Sequence, residues 1–133
     1  MGDAAGERVR GELAVGVGMR VGATPEAVVA AVREAVGERD IGCLTSVDRR
    51  AGEPGLAAAA EYLGVPVVVF SPEELATVAV PTPSARTARA IGTPSVAEAA
   101  ALLAAGSDRL VVRKRVIAGI TVAAAVIRER GET

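Results

Sequence analysis

Short apolar runs alternate along this chain with stretches of helical periodicity, and that alternation limits it to a layered α/β fold. Leu13-Ala14-Val15-Gly16-Val17 reads as a first buried strand and Ile41 to Thr45 as a second. Pro66-Val67-Val68-Val69-Phe70 is β-branched and continuous, as strands covered on both faces tend to be. Arg109 to Val112 reads as a fourth strand and Ile120 to Ile127 as a fifth. The helix signals between them are local. Thr24 is an N-cap with Pro25 at the first helical position, and Val28, Ala31, Val32, Ala35 and Val36 then fall on one face. Pro54 to Leu63 carries Leu56, Ala59, Ala60 and Leu63 at helical spacing. Ser71-Pro72-Glu73-Glu74 and Ser95-Val96-Ala97-Glu98 have the form of capping boxes, the second opening a helix that ends near Gly106. Pro81 and Pro83 precede a further helix from Ser84 to Ile91, with Arg86 and Arg89 on its solvent face.

Helical crossovers predict parallel pairing of the early strands. The last two strands have no room for a crossover helix between them and predict an antiparallel hairpin. The expected architecture is one three-layer α/β/α domain over residues 13–127, with a mixed, mainly parallel sheet of about five strands. Residues 1–12 and 128–133 are expected to be flexible tails. A chain of 133 residues, half of them apolar, suits a single core that needs neither disulfide nor structural metal.

Several function classes fall away on composition. Histidine is absent and Cys43 is the only cysteine, which removes the usual serine and cysteine triads and the common zinc ligand sets. No metal or cofactor is expected. Net charge is −1 and the aromatics are Tyr62 and Phe70 alone, so neither a basic footprint nor a stacking platform for nucleic acid exists. The first residues have no apolar h-region, and the apolar run Val116 to Ile127 is too short to span a bilayer, so no membrane partner is expected and the location predicted is cytoplasmic.

In open α/β sheets, ligands bind outside the carboxyl ends of the parallel strands. Four polar segments are expected at that rim: the glycine loop with Gly18, Met19 and Arg20; the loop Ser46 to Glu53 with Asp48, Arg49 and Arg50; the Ser71 cap with Glu73; and a turn Arg113-Lys114-Arg115. Together with helix N-termini they would favour an anionic ligand. Asp48 and Glu53 are either paired carboxylates for acid–base work or partners of the following helix and of Arg49 and Arg50. The run Gly16 to Gly22 is a tight strand-to-helix turn more than a dinucleotide fingerprint, because Val21 stands where the third glycine is needed. Cys43 reads as a buried hydrophobe.

In order, these loops resemble those of the CobE/CbiG C-terminal family of cobalamin biosynthesis. The glycine loop Gly16 to Gly22 is similar to the one after that family's first strand. Ser46-Val47-Asp48-Arg49-Arg50-Ala51-Gly52-Glu53-Pro54-Gly55-Leu56 resembles its Ser-Ile-Asp…Lys…Glu-x-Gly-Leu segment, and Phe70-Ser71-Pro72-Glu73-Glu74-Leu75 its Phe-Ser-x-Glu-Glu-Leu strand exit. Gly92-Thr93-Pro94-Ser95-Val96-Ala97-Glu98-Ala99-Ala100 is similar to its Gly…Ser-Val-x-Glu-x-Ala helix start. Lys114, the only lysine, falls at the family's lysine, and Gly119 to Ala123 matches the final strand. Met19 departs from a common cysteine, Val21 from a basic residue and Arg50 from the central lysine. The resemblance implies a part in building the corrin macrocycle, as a stand-alone CobE-like domain. It would bind an acidic corrin or precorrin intermediate through Gly18, Met19, Arg20, Ser46, Asp48, Arg49, Arg50, Glu53, Ser71 and Lys114, as accessory or carrier. The alternatives are a hydrolase opening the lactone of a cobalt-precorrin-5A-type intermediate, with Asp48 or Glu53 activating water and Lys114 steadying the anion, and an interaction module for another cobalamin-pathway enzyme.

Overall fold

The computed structural model describes residues 12–78 and 95–127; the helix expected over Ser84 to Ile91 lies outside the described residues. The elements run β1 (Leu13–Gly18), α1 (Pro25–Val36), β2 (Ile41–Val47), a 3-10 turn (Asp48–Arg50), α2 (Pro54–Leu63), β3 (Val67–Phe70), α3 (Pro72–Ala76), α4 (Val96–Ala105), β4 (Val112–Ile117) and β5 (Ile120–Val126). The strand order is β3-β2-β1-β5-β4. β1, β2 and β3 are parallel, and β5 and β4 add antiparallel beyond β1. The result is the mixed α/β sheet that the alternation predicts.

Two apolar layers follow from the period-two alternation of the strands. Leu13, Val15, Val17, Leu44, Val122 and Ala124 face α1 and α2, which supply Val28, Ala31, Val32, Leu56 and Ala59. Ala14, Cys43, Val47 and Ala125 face the other way, onto Leu75 of α3 and Ala99, Ala100, Leu102 and Ala105 of α4. Helix starts match the sequence signals. The Thr24 hydroxyl accepts from the Ala27 N–H at 3.1 Å. Ser71 and Glu74 form both bonds of a capping box. No helix among the described residues is long and apolar enough to cross a membrane.

Three expectations are corrected. β2 continues through Ser46 and Val47, which are buried strand residues and not loop. β4 is not Arg109 to Val112 but Val112–Ile117, so Arg113-Lys114-Arg115 is part of an edge strand and not a turn. Charged side chains on an edge strand protect it from pairing with another chain. The hairpin turn is instead Ala118-Gly119, with φ of 54° and 82°. A two-residue turn with both φ positive matches the twist of the strands it joins. The third correction concerns the Ser95 box. Ser95 accepts from the Glu98 N–H at 3.3 Å, but a carboxylate oxygen of Glu98 accepts from the backbone N–H of Lys114 at 3.0 Å.

Cys43 is the buried hydrophobe expected. Burial first, and then the Glu12 carboxylate, pushes its thiol up to about 11. A thiol harder to ionise when folded contributes stability that is whole below the ordinary thiol value and is lost as pH rises through the folded one. Urea midpoints should therefore fall between about pH 8.5 and 11 more steeply in the native protein than in Cys43→Ala. Parallel curves for the two proteins would contradict this.

Candidate functional site

The carboxyl ends of the parallel strands are closed by two loops bolted to each other. β1 ends at Gly18, opposite Thr121 of β5, and the glycine loop turns back through Gly22 at φ 89° into the N-terminus of α1. The loop after β2 is wound tightly, with the Ala51 N–H on the Asp48 carbonyl and the Glu53 N–H on the Arg50 carbonyl, both at 3.0 Å. Side chains from the end of β2 and from this loop reach the end of β1 and the glycine loop at successive heights. The Ser46 hydroxyl donates to the Val17 carbonyl at 2.7 Å, the Arg50 Nε to the Met19 carbonyl at 3.1 Å, and the Gly22 N–H to a Glu53 carboxylate oxygen at 3.0 Å. Gly55, in the first turn of α2, lies so close to the Ala23 carbonyl that a Cβ there would overlap it.

These bonds account for several side chains. Ser46 is fully buried and joins two strands. Glu53 stands at the N-cap of α2 without making a cap bond, and tethers Gly22 instead. Asp48 and Arg49 are exposed and Arg50 is half-buried. Among the described residues, the ion pair present joins Arg115 to Glu34, and none links Asp48 or Glu53 to Arg49 or Arg50. Met19 is buried in the α1–α2 layer, so its carbonyl and not its side chain belongs to the rim. Arg20 is exposed beside a groove of about 480 Å³ lined by Gly22, Thr24, Ala118 and Gly119. The arrangement can present two guanidinium groups, Arg20 and Arg50, on a loop pair fixed by its own hydrogen bonds.

Ser71 and Lys114 do not join that network. The Ser71 hydroxyl is occupied as the cap of α3. Lys114 lies on the outermost strand, exposed, with its backbone N–H on Glu98 of α4. Phe70 pairs with Val47, so the Ser71 cap stands at the same end of the sheet as the Asp48 loop without bonding to it; of the four segments expected at the rim, the one with Lys114 is set apart on β4.

Two buried polar residues, Glu98 and Thr45, stand outside the site residues that the sequence suggests. Glu98 is fully buried in a helix whose residues Ala97, Ala99, Ala100, Ala101 and Leu102 are also buried. That helix is apolar all round, and a carboxylate within such a run has no solvent face to turn to, which was the available signal. Thr45 is also fully buried, paired with Gly16, and its hydroxyl has no hydrogen-bond partner. Nothing in the sequence separates it from an ordinary strand threonine.

Comparison with known proteins bears on the whole of this domain. The family described as cobalamin synthesis G C-terminus matches residues 13–125. The structure of CobE, a protein from the cobalamin (vitamin B12) biosynthetic pathway, is 34% identical with a TM-score of 0.73, over 85% of this chain and 91% of that one. The cobalamin biosynthesis protein chiG of Agrobacterium tumefaciens is 38% identical with a TM-score of 0.67, over 86% and 97% of the two chains. A cobalt-precorrin-5A hydrolase of Priestia megaterium is 27% identical over 120 residues, and this chain spans 32% of its length.

Proposed function

The chain belongs to the cobalamin synthesis G C-terminus family, and on that premise we propose that it serves cobalamin biosynthesis by binding an acidic corrin-ring intermediate as an accessory or carrier. The observation that carries this reading is the bolted loop pair, where Arg50 donates Nε to the Met19 carbonyl and Glu53 holds the Gly22 N–H. A guanidinium held through Nε keeps its outer fork available for a carboxylate, the group that rims a corrin precursor. Preorganisation matters because each side chain ordered on binding would otherwise cost about 0.5–1.5 kcal/mol. Arg20, on the glycine loop that Arg50 holds, supplies a second cation at the groove.

Titration of the protein into hydrogenobyrinic acid tests the reading. A saturable shift in the corrinoid absorbance, matched by calorimetry, is the expected result. Unchanged spectra at saturating protein would sink it.

The likeness to a cobalt-precorrin-5A hydrolase favours a second reading, in which this domain opens the lactone of such an intermediate. Asp48 is its candidate for activating water, being exposed on the same loop as Arg50, whereas Glu53 is engaged with Gly22. Turnover of the lactone by the purified domain, abolished in Asp48→Asn, would put this reading first. Retention of another pathway enzyme by the domain, with neither turnover nor a spectral change, would favour an interaction module.

A further inference from the structure

We propose that Glu98 is a positioning residue: it fixes a bulge in β4 that turns the Lys114 ammonium onto the α4 face of the sheet, as a contact for an anionic ligand. The ligand clause rests on the binding function proposed above. The geometric claim rests on register. Val112 pairs with Ala124 and Arg115 with Val122, so Arg113 and Lys114 together oppose the single residue Ala123. Two residues against one is a β-bulge, and the extra residue shifts every later side chain to the other face. The consequence can be read from the contacts. Val112 packs on the α1–α2 layer, and Arg115, three residues on, also reaches α1, donating to the Glu34 carbonyl at 3.2 Å. An unbroken strand would put residues three apart on opposite faces.

In a regular ladder Lys114 would oppose Val122 and share its face, over α1. With the bulge it sides with Ala123, and strand alternation sets Ala123 against Val122 and Ala124, toward α4. What stabilises the extra residue is the Glu98 carboxylate. It takes the Lys114 N–H at 3.0 Å, from the first turn of a helix packed across β1 and β5. A fully buried carboxylate is costly to desolvate, so an apolar residue would serve better if filling space were the whole task.

Lys114 is the only lysine in the chain, so it can be observed alone. Protein made with ¹⁵N,¹³C-lysine gives one lysine amide correlation and one Cε signal. The amide should lie downfield, as a donor to a carboxylate does, and exchange slowly with solvent. Glu98→Gln keeps an acceptor oxygen without the charge, so the peak should move upfield and stay protected. Glu98→Ala should speed exchange by about tenfold or more. A peak unchanged in position in Glu98→Gln, or unchanged in exchange in Glu98→Ala, would overturn the proposal; the first holds even if the alanine variant does not fold. With hydrogenobyrinic acid, Lys114→Ala and Glu98→Ala should each weaken binding about tenfold, and the double variant should be no weaker than either. Additive losses would also overturn it. A native protein that binds no corrinoid would remove the carrier function and leave the amide result to decide the positioning claim.

Discussion

Gly16→Ala is expected to lower stability by about 3 kcal/mol, a large share of what a domain of this size possesses. The substitution looks harmless in sequence, because alanine in a strand interior loses less conformational freedom on folding than glycine does. Gly16 has no positive φ to preserve. The obstacle is packing: a Cβ at this position would overlap the Ala97 carbonyl and stand 2.7 Å from its carbon. That obstacle is backbone in the first turn of α4 and cannot rotate away as a side chain could. Accommodation requires α4 to lift from β1, taking with it the buried residues Ala97, Glu98, Ala100 and Ala101. Urea denaturation of Gly16→Ala beside Gly52→Ala is the measurement. Gly52 has open space around it and no positive φ, so its variant should stay within about 0.5 kcal/mol of the parent. Equal midpoints for the two variants would mean that α4 does not rest on Gly16.

Elements whose boundaries depend on adjacent residues were legible in the sequence. Thr24-Pro25, Pro54 to Leu63 and Ser71-Pro72 start helices because caps and N1 prolines act within one turn. The three parallel strands were legible from their β-branched and apolar runs. β4 was not, for two physical reasons. Its exposed edge tolerates Arg113, Lys114 and Arg115, which removes the apolar signal, and its bulge breaks the period of two. The turn after it was hidden as well, since Ala118 adopts a φ of 54° that alanine rarely takes, leaving no Asn-Gly or Asp-Gly mark.

The candidate site divides along the same line. The glycine loop, the loop after β2 and the Ser71 cap were legible because polar residues cluster after strand ends, whereas the Arg113-Lys114-Arg115 turn proved to be strand. Which side chain bonds to which atom did not follow. Ser46 reads as loop and is buried, because the Val17 carbonyl on the neighbouring strand satisfies its hydroxyl. Glu53 reads as a helix cap and serves a residue 31 positions earlier. Lys114 reads as part of the same rim, yet the strand order puts β4 beyond β5, outside the parallel strands that form it. Pairings across tens of residues are set by topology, and no spacing rule reports them.

Loss of both rim cations should therefore weaken binding more than loss of Lys114 does. Arg20→Ala with Arg50→Ala is expected to weaken corrinoid binding by about 100-fold or more, since each charge-assisted hydrogen bond contributes about 1.5–3 kcal/mol. The singles should each cost about tenfold, with Arg50→Ala the larger, because it also frees the Met19 carbonyl and loosens the glycine loop. Arg50→Lys should fall between Ala and the native residue: the charge remains, while the fork and the Nε–Met19 bond are lost. Arg33→Ala is the matched control. Arg33 lies in the last turn of α1, at the other end of the helix from the groove, and its removal changes net charge by the same amount. If Arg33→Ala weakens binding as much as Arg20→Ala, the attraction is a property of overall charge and not of these loops. A loss seen in Arg20→Ala and Arg50→Ala but not in Arg33→Ala, and persisting at about 0.5 M salt, would instead mark direct contacts, since screening at that ionic strength acts within about 5 Å and removes long-range steering but little of a hydrogen-bonded ion pair.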